Sequence, residues 1–224
     1  MNLLELAFVL GICAFFTLFS LPWQNQSLNL AHHTLAYHLQ YAEILALSDD
    51  REFLHIQDTQ NLKREFPSIN ESSLLKHTQN SFWQFQLHLG KIYSTSSYSV
   101  FSDTPRKSIS TNFDSRPMAA DVIALDSFGR CVSGYNNTNT SAVCKNNTLL
   151  NTRLSERLGL QSLQVVAPKV CSERETARIY FDRFTRAFCS KIPLRFDERF
   201  VISLNKKQQK KSLCVLPQGK ITSC

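Results

Sequence analysis

Hydrophobic and polar positions divide the chain into stretches of different period. From Leu3 to Leu21 only Glu5, Gly11, Thr17 and Ser20 interrupt an apolar run, about the 20 residues a helix needs to span a bilayer. Beyond it Leu28, Ala31, Leu35, Leu39, Ala42 and Ala46 recur three or four apart, the stripe of an amphipathic helix. The stripe resumes soon after Pro22, so that proline is expected to kink one helix rather than end it. After residue 50 the period shortens to two. In "FWQFQLHL", Trp83, Phe85, Leu87 and Leu89 alternate with Gln84, Gln86 and His88, predicting a half-buried antiparallel strand.

Further strands are predicted at "REFLHI", "SYSVF", "DVIAL", "LQVV", "ARIYF", "RFVISL" and "SLCVL", with "LPQGK" turning the last hairpin. The polar stretches 57–80, 102–120 and 134–153 read as long loops. The expected fold class is α+β, one long N-terminal helix packed on antiparallel sheet. Residues 1–22 would form its transmembrane half, 23–48 its amphipathic half, and 49–224 a β-rich globular domain.

Cysteine usage adds a compartment. Cys13 lies in the apolar run, where it acts as a small hydrophobe. The other six, Cys131, Cys144, Cys171, Cys189, Cys214 and Cys224, form an even set without CxxC spacing, which points to disulfides and an oxidising compartment rather than to zinc. The pairing stays open, with local spacing favouring Cys131 with Cys144 and Cys214 with Cys224.

Charge changes the picture less. A formal net charge of +7 permits an acidic partner without requiring one. "NKKQQKKS" sets Lys206, Lys207, Lys210 and Lys211 between two predicted strands. As a hairpin tip these lysines are a candidate non-specific DNA contact, against the plainer reading of lysines that guard a sheet edge. His32, His33 and His38 lack metal-ligand spacing, and no nucleophile elbow, phosphate loop or kinase signature occurs. Neither metal, cofactor nor catalytic residues are therefore expected. "LDSFGRCV" and "FDRFTRAF" read as two D-x-F-x-R hairpins in which the aspartate caps its own turn and the arginine is exposed.

One residue of the apolar run needs a reason. Glu5 is the sole charged side chain before Glu43, and a carboxylate inside a bilayer costs up to roughly 2.5–3.5 kcal/mol. The segment "NLLELAFVLGICAFFTLFSLP" resembles the N-terminal helix of type IV pilins and type II secretion pseudopilins. The later segments "LAYHLQYAEILALSDDREF", "FWQFQLHL", "YSVFSD" and "IYFDRFTRAFCS", in that order, resemble the minor-pseudopilin or fimbrial-T-like branch. In that last segment Phe181, Asp182 and Arg186 match the family's turn, and Thr185 departs from its glycine.

The resemblance implies a pilin-like fold and roles for particular residues. Met1 corresponds to the N-methylated first mature residue, Glu5 to the family's glutamate and Pro22 to its helix proline. The family's basic leader ending in glycine does not precede Met1 here, so the chain is read as written from its mature end, from an internal start, or as unprocessed. Glu5 would meet a neighbouring subunit's N-terminal amine and fix the axial register, a charge whose value appears on association. The implied function is a non-enzymatic minor pseudopilin-like subunit of a type II secretion or type IV pilus-type assembly, helping to initiate or cap a periplasmic pseudopilus. The alternative is a competence pilin that binds DNA for uptake. Implied partners are other pseudopilins or pilins, a prepilin peptidase and an inner-membrane platform, with nucleic acid in the alternative. The implied location is the bacterial inner membrane, single-pass, with the globular domain in the periplasm.

Overall fold

The computed structural model describes residues 3–49, 82–90, 95–103, 116–119, 121–136, 139–171, 173–182, 184–190 and 194–224. Within the helix, side chains are described for Val9, Ile12 and 26–48. Helix α1 spans Leu3–Ser48 and passes through Pro22 without ending. Its predicted inner stripe is buried throughout, from Leu28 through Ala31, Leu35, Leu39 and Ala42 to Ala46. The alanines on that stripe let the backbone approach the sheets closely, and the leucines fill the space between.

The regular structure in the rest of the described chain is mainly strand, in two antiparallel sheets. The first runs β3(Val122–Ile123), β2(Ser97–Ser102), β1(Trp83–His88), β5(Thr176–Phe181), β6(Ala187–Cys189), β7(Leu194–Arg195) across its width. The second runs β10(Ile221–Ser223), β9(Gln209–Val215), β8(Phe200–Lys206), β4(Ser162–Val166). Two short helices, α2(Ala142–Asn146) and α3(Leu154–Leu158), precede β4. One core joins all three layers: Leu35 and Leu39 of α1 share it with Phe85, Leu87 and Ile179 of the first sheet and Phe200, Ile202 and Leu213 of the second.

Three sequence expectations change. The α+β fold with a long transmembrane helix gives way to a mostly β architecture carrying one N-terminal helix. Among the described residues no helix is long and apolar enough to cross a membrane. From residue 26 onward polar side chains such as Gln26, Asn29, His33, Gln40 and Glu43 interrupt α1 too often for that. The single-pass inner-membrane placement, with its membrane-embedded 1–22, falls with it. What the fold retains about compartment is the disulfides, which form and persist where conditions are oxidising.

Second, the stretch 134–153 is not one loop, because α2 and a 3-10 turn at Leu150–Thr152 lie in it. Third, β1 is buried on both faces. Phe85 and Leu87 face α1, while Gln84, Gln86 and His88 are equally inaccessible. His88 Nε2 lies 3.1 Å from Ser99 Oγ, and Ser99 Oγ lies 2.9 Å from Ser133 Oγ. The chain after β3 folds back to lay Ser133 against Ser99, which supplies polar partners where solvent was expected. "REFLHI" and the stretch 57–80 lie outside the described residues.

The last hairpin turns as its sequence indicates. Gly219 N donates to Leu216 O at 2.8 Å and Leu216 N to Lys220 O at 3.0 Å. Gly219 has φ +91°, and a Cβ there would stand 1.6 Å from Thr185 O. Gly219→Ala therefore combines left-handed strain with a backbone clash. It is expected to lower stability by about 2 kcal/mol or more, read as an earlier midpoint in urea. An unchanged midpoint would mean that the two hairpins do not abut.

Candidate functional site

The described part of α1 has two faces, and the outer one has its own pattern. Gln26, Leu30, His33, Tyr37, Gln40, Ile44 and Leu47 are exposed in strict four–three alternation. Tyr37 is 64% exposed, Ile44 57%, Leu47 50% and Leu30 47%. Single exposed hydrophobics are ordinary, but four on one stripe of one helix are not scattered. The spacing is a heptad: Leu30, Tyr37 and Ile44 hold one repeat position, and Gln26, His33, Gln40 and Leu47 the other. Val9 and Ile12, both exposed, continue the two positions toward the N-terminus. Counted along the sequence in sevens, Glu5 shares the position of Ile12, Gln26 and His33.

The inner face is fastened to the domain, so the outer face stays presented. His38 Nδ1 lies 2.7 Å from the buried Tyr98 hydroxyl, and Tyr41 Oη donates to Leu125 O at 2.9 Å. His32 Nε2 lies 3.3 Å from Ser212 O, and Lys206 Nζ donates to Ser27 Oγ. Burial lowers the His32 pKa, reinforced by Lys211 and His33 and opposed by the Ser212 carbonyl. Burial lowers His38 further, to about 4, against the attraction of Asp126. Tyr37 and Tyr41 stack at 6.5 Å between ring centroids, which stiffens the outer face at its centre.

The four lysines do not form one grip. β8 pairs with β9 so that Leu204 faces Lys211, Asn205 faces Lys210 and Lys206 faces Gln209. Side chains alternate across a sheet, so Lys206 and Lys211 go to the α1 side and Lys210 to the opposite side. Lys206 is also held by Leu158 O at 3.2 Å, and Lys207 occupies the turn with φ +53°. A cluster dense in sequence is thus divided in space.

Among the other sequence candidates, Met1 lies outside the described residues, and Glu5 and Pro22 lie within α1. The cysteines pair as Cys131–Cys144, Cys171–Cys189 and Cys214–Cys224, with Cα–Cα separations of 5.4, 5.2 and 5.9 Å. Removing Cys214–Cys224 by a double serine substitution is expected to cost about 2–3 kcal/mol by chain entropy. That loss should appear mainly as faster amide exchange in β9 and β10, and uniform exchange across both sheets would contradict the assignment. Among the described residues no group of three His, Cys, Asp or Glu is placed to hold a metal ion.

The two D-x-F-x-R turns are built alike. Asp126 Oδ1 accepts from Phe128 N and Arg130 N, and Asp126 Oδ2 from Arg130 Nε. Asp182 makes the same three bonds with Phe184 and Arg186. Each guanidinium lies 5.1 Å from its phenylalanine ring centroid. The arginines are exposed as expected, each 42% accessible, and fold back over their own turns. Burial pushes the Asp126 carboxyl up, and the hydrogen bonds from Arg130 and Phe128 outweigh it to hold it below the usual range.

No family model matches the chain, and no curated protein or solved structure matches it.

Proposed function

We propose that this chain is a non-enzymatic structural subunit that assembles through the outer face of α1, packing against the corresponding helices of neighbouring subunits. The observation that carries this reading is the exposed heptad of Leu30, Tyr37, Ile44 and Leu47 on a helix whose other face is buried in the domain. A helix that has already satisfied its amphipathic requirement has no folding reason to carry a second apolar stripe. Each such side chain is already about half buried, so packing it against a neighbour contributes about 1 kcal/mol before association costs. The polar members Gln26, His33 and Gln40 favour one register over others, as single polar seam positions do in coiled coils.

The resemblance of the N-terminal segment to pilins and pseudopilins supports the same mode of assembly and points to a minor subunit of a secretion or pilus-type filament. Glu5 then acts as the register device, opposite a neighbour's N-terminal amine. The divided lysines weigh against the DNA-uptake alternative, because a loop presenting fewer cations makes fewer phosphate contacts.

Tyr37→Asp with Ile44→Asp tests the reading. Both positions are exposed, so the folded domain should melt within about 0.5 kcal/mol of wild type. Co-purification with partner subunits should fall at least tenfold. Glu5→Val should give the same loss by removing register rather than contact. Retention of partners at the wild-type level by the double variant would sink the proposal.

A further inference from the structure

The side of the second sheet that faces away from α1 has a character of its own. By register its outward positions include Val166 on β4, Val201 and Ser203 on β8, and Lys210, Ser212 and Cys214 on β9. Two adjoining hollows of about 590 and 360 Å³ lie on it, and Arg199, Val201 and Lys210 line both. We infer that this groove binds an oxyanion, with Arg199 and Lys210 as its charged partners and the Ser203–Ser212 hydroxyl pair as its floor.

The smaller hollow is where the anion belongs. Among the described residues Arg199, Val201, Lys210, Ser212 and Cys224 line it, none of them acidic. Among the described residues Glu198 lines the larger hollow and not the smaller, and it repels an anion toward the smaller one. Among the described residues neither Arg199 nor Lys210 has a carboxylate within ion-pairing distance. Two unneutralised cations sharing one hollow repel each other, and a bound anion relieves that repulsion.

The hydroxyls supply the second requirement. Ser212 lines the smaller hollow and Ser203 the larger one beside it; Ser203 is 3% exposed, and its Oγ lies 3.0 Å from Ser212 Oγ. Their mutual bond uses one of two hydroxyl protons, leaving the other for an acceptor above the sheet. The planar guanidinium of Arg199 suits a carboxylate or phosphate edge, and Lys210 adds a point charge. The Cys214–Cys224 disulfide stiffens the β9–β10 end of the groove. A hollow of 360 Å³ holds an oxyanion together with a small carrier such as one sugar ring.

The test is a titration of the oxidised full chain, followed by nitrogen-15 NMR at constant ionic strength. The probes are inorganic phosphate, glycerol 3-phosphate and galacturonate, with chloride as the control. Saturable shifts confined to the amides of residues 199–203 and 210–214 are expected. Arg199→Gln with Lys210→Gln should weaken binding at least tenfold while the remaining spectrum shows an intact fold, and Lys207→Gln should leave it unchanged. Tighter binding of glycerol 3-phosphate than of galacturonate assigns a phosphate ester as the ligand, and the reverse order assigns a carboxylate. Shifts that do not saturate, that chloride reproduces, or that survive the double variant would overturn the inference.

Discussion

Glu173→Ala is expected to destabilise the domain by about 3–5 kcal/mol, the cost of leaving a buried charge without its partner. Arg178 projects from β5 on the side away from α1, with 2% of its side chain exposed against 8% for Glu173. Its Nε lies 2.8 Å from Glu173 Oε1, its Nη2 donates to Oε2 at 2.8 Å, and Thr176 Oγ1 donates to the same Oε2 at 2.5 Å. A guanidinium does not escape by losing its proton, so removal of the Glu173 carboxylate leaves a buried full charge beside the Thr176 and Tyr180 hydroxyls, which do not neutralise it. Replacing both partners with apolar residues of similar volume, Glu173→Leu with Arg178→Met, should restore much of the loss. Urea unfolding measures both variants. A single-variant loss below about 1 kcal/mol would show that solvent reaches the pair.

The second large effect is loss of stability in mild acid. His38 fastens α1 to Tyr98, and burial holds its pKa near 4. His88, on the polar side of β1, is lowered to about 3 by burial first and then by Arg178 and Arg116. An unfolded histidine titrates near 6.5, so between these values the unfolded chain binds more protons than the folded one. Stability is therefore complete above about pH 6.5 and declines as pH falls toward 4. His38 alone accounts for about 3 kcal/mol over that window, and His88 acts in the same direction. Urea melts at pH 7 and pH 5 should differ by more than 1 kcal/mol, and His38→Leu should flatten the dependence without abolishing it. An acid-insensitive midpoint would mean that the histidines are hydrated.

Periodicity made the helix and most strands legible, because the inner stripe of α1 and the apolar alternation in β1 and β8 follow from packing one face on the shared core. It failed where burial came from elsewhere. Gln84, Gln86 and His88 are covered through tertiary contacts that a period of two does not encode. The helices α2 and α3 are too short to hold by propensity and depend on their packing. The lysines looked like one patch because sequence distance ignores strand alternation. The apolar run at the N-terminus pointed to a membrane span that the described helix does not bear out. Cys171 with Cys189 was invisible because the 3-10 turn Lys169–Cys171 and β6 meet only after β5 is laid down between them. The outer heptad of α1 was readable from Leu30, Tyr37 and Ile44.

Assembly through that heptad is the central claim, and site-specific photocross-linking tests it most directly. A benzophenone side chain is placed at Tyr37 on the outer face of α1, and in a second protein at Gln164, exposed on β4. In the assembled state, position 37 is predicted to cross-link to residues of a neighbouring subunit's α1, and position 164 to give no intersubunit product. Cross-linking from 164 with none from 37 would place the contact on the sheet and contradict the account.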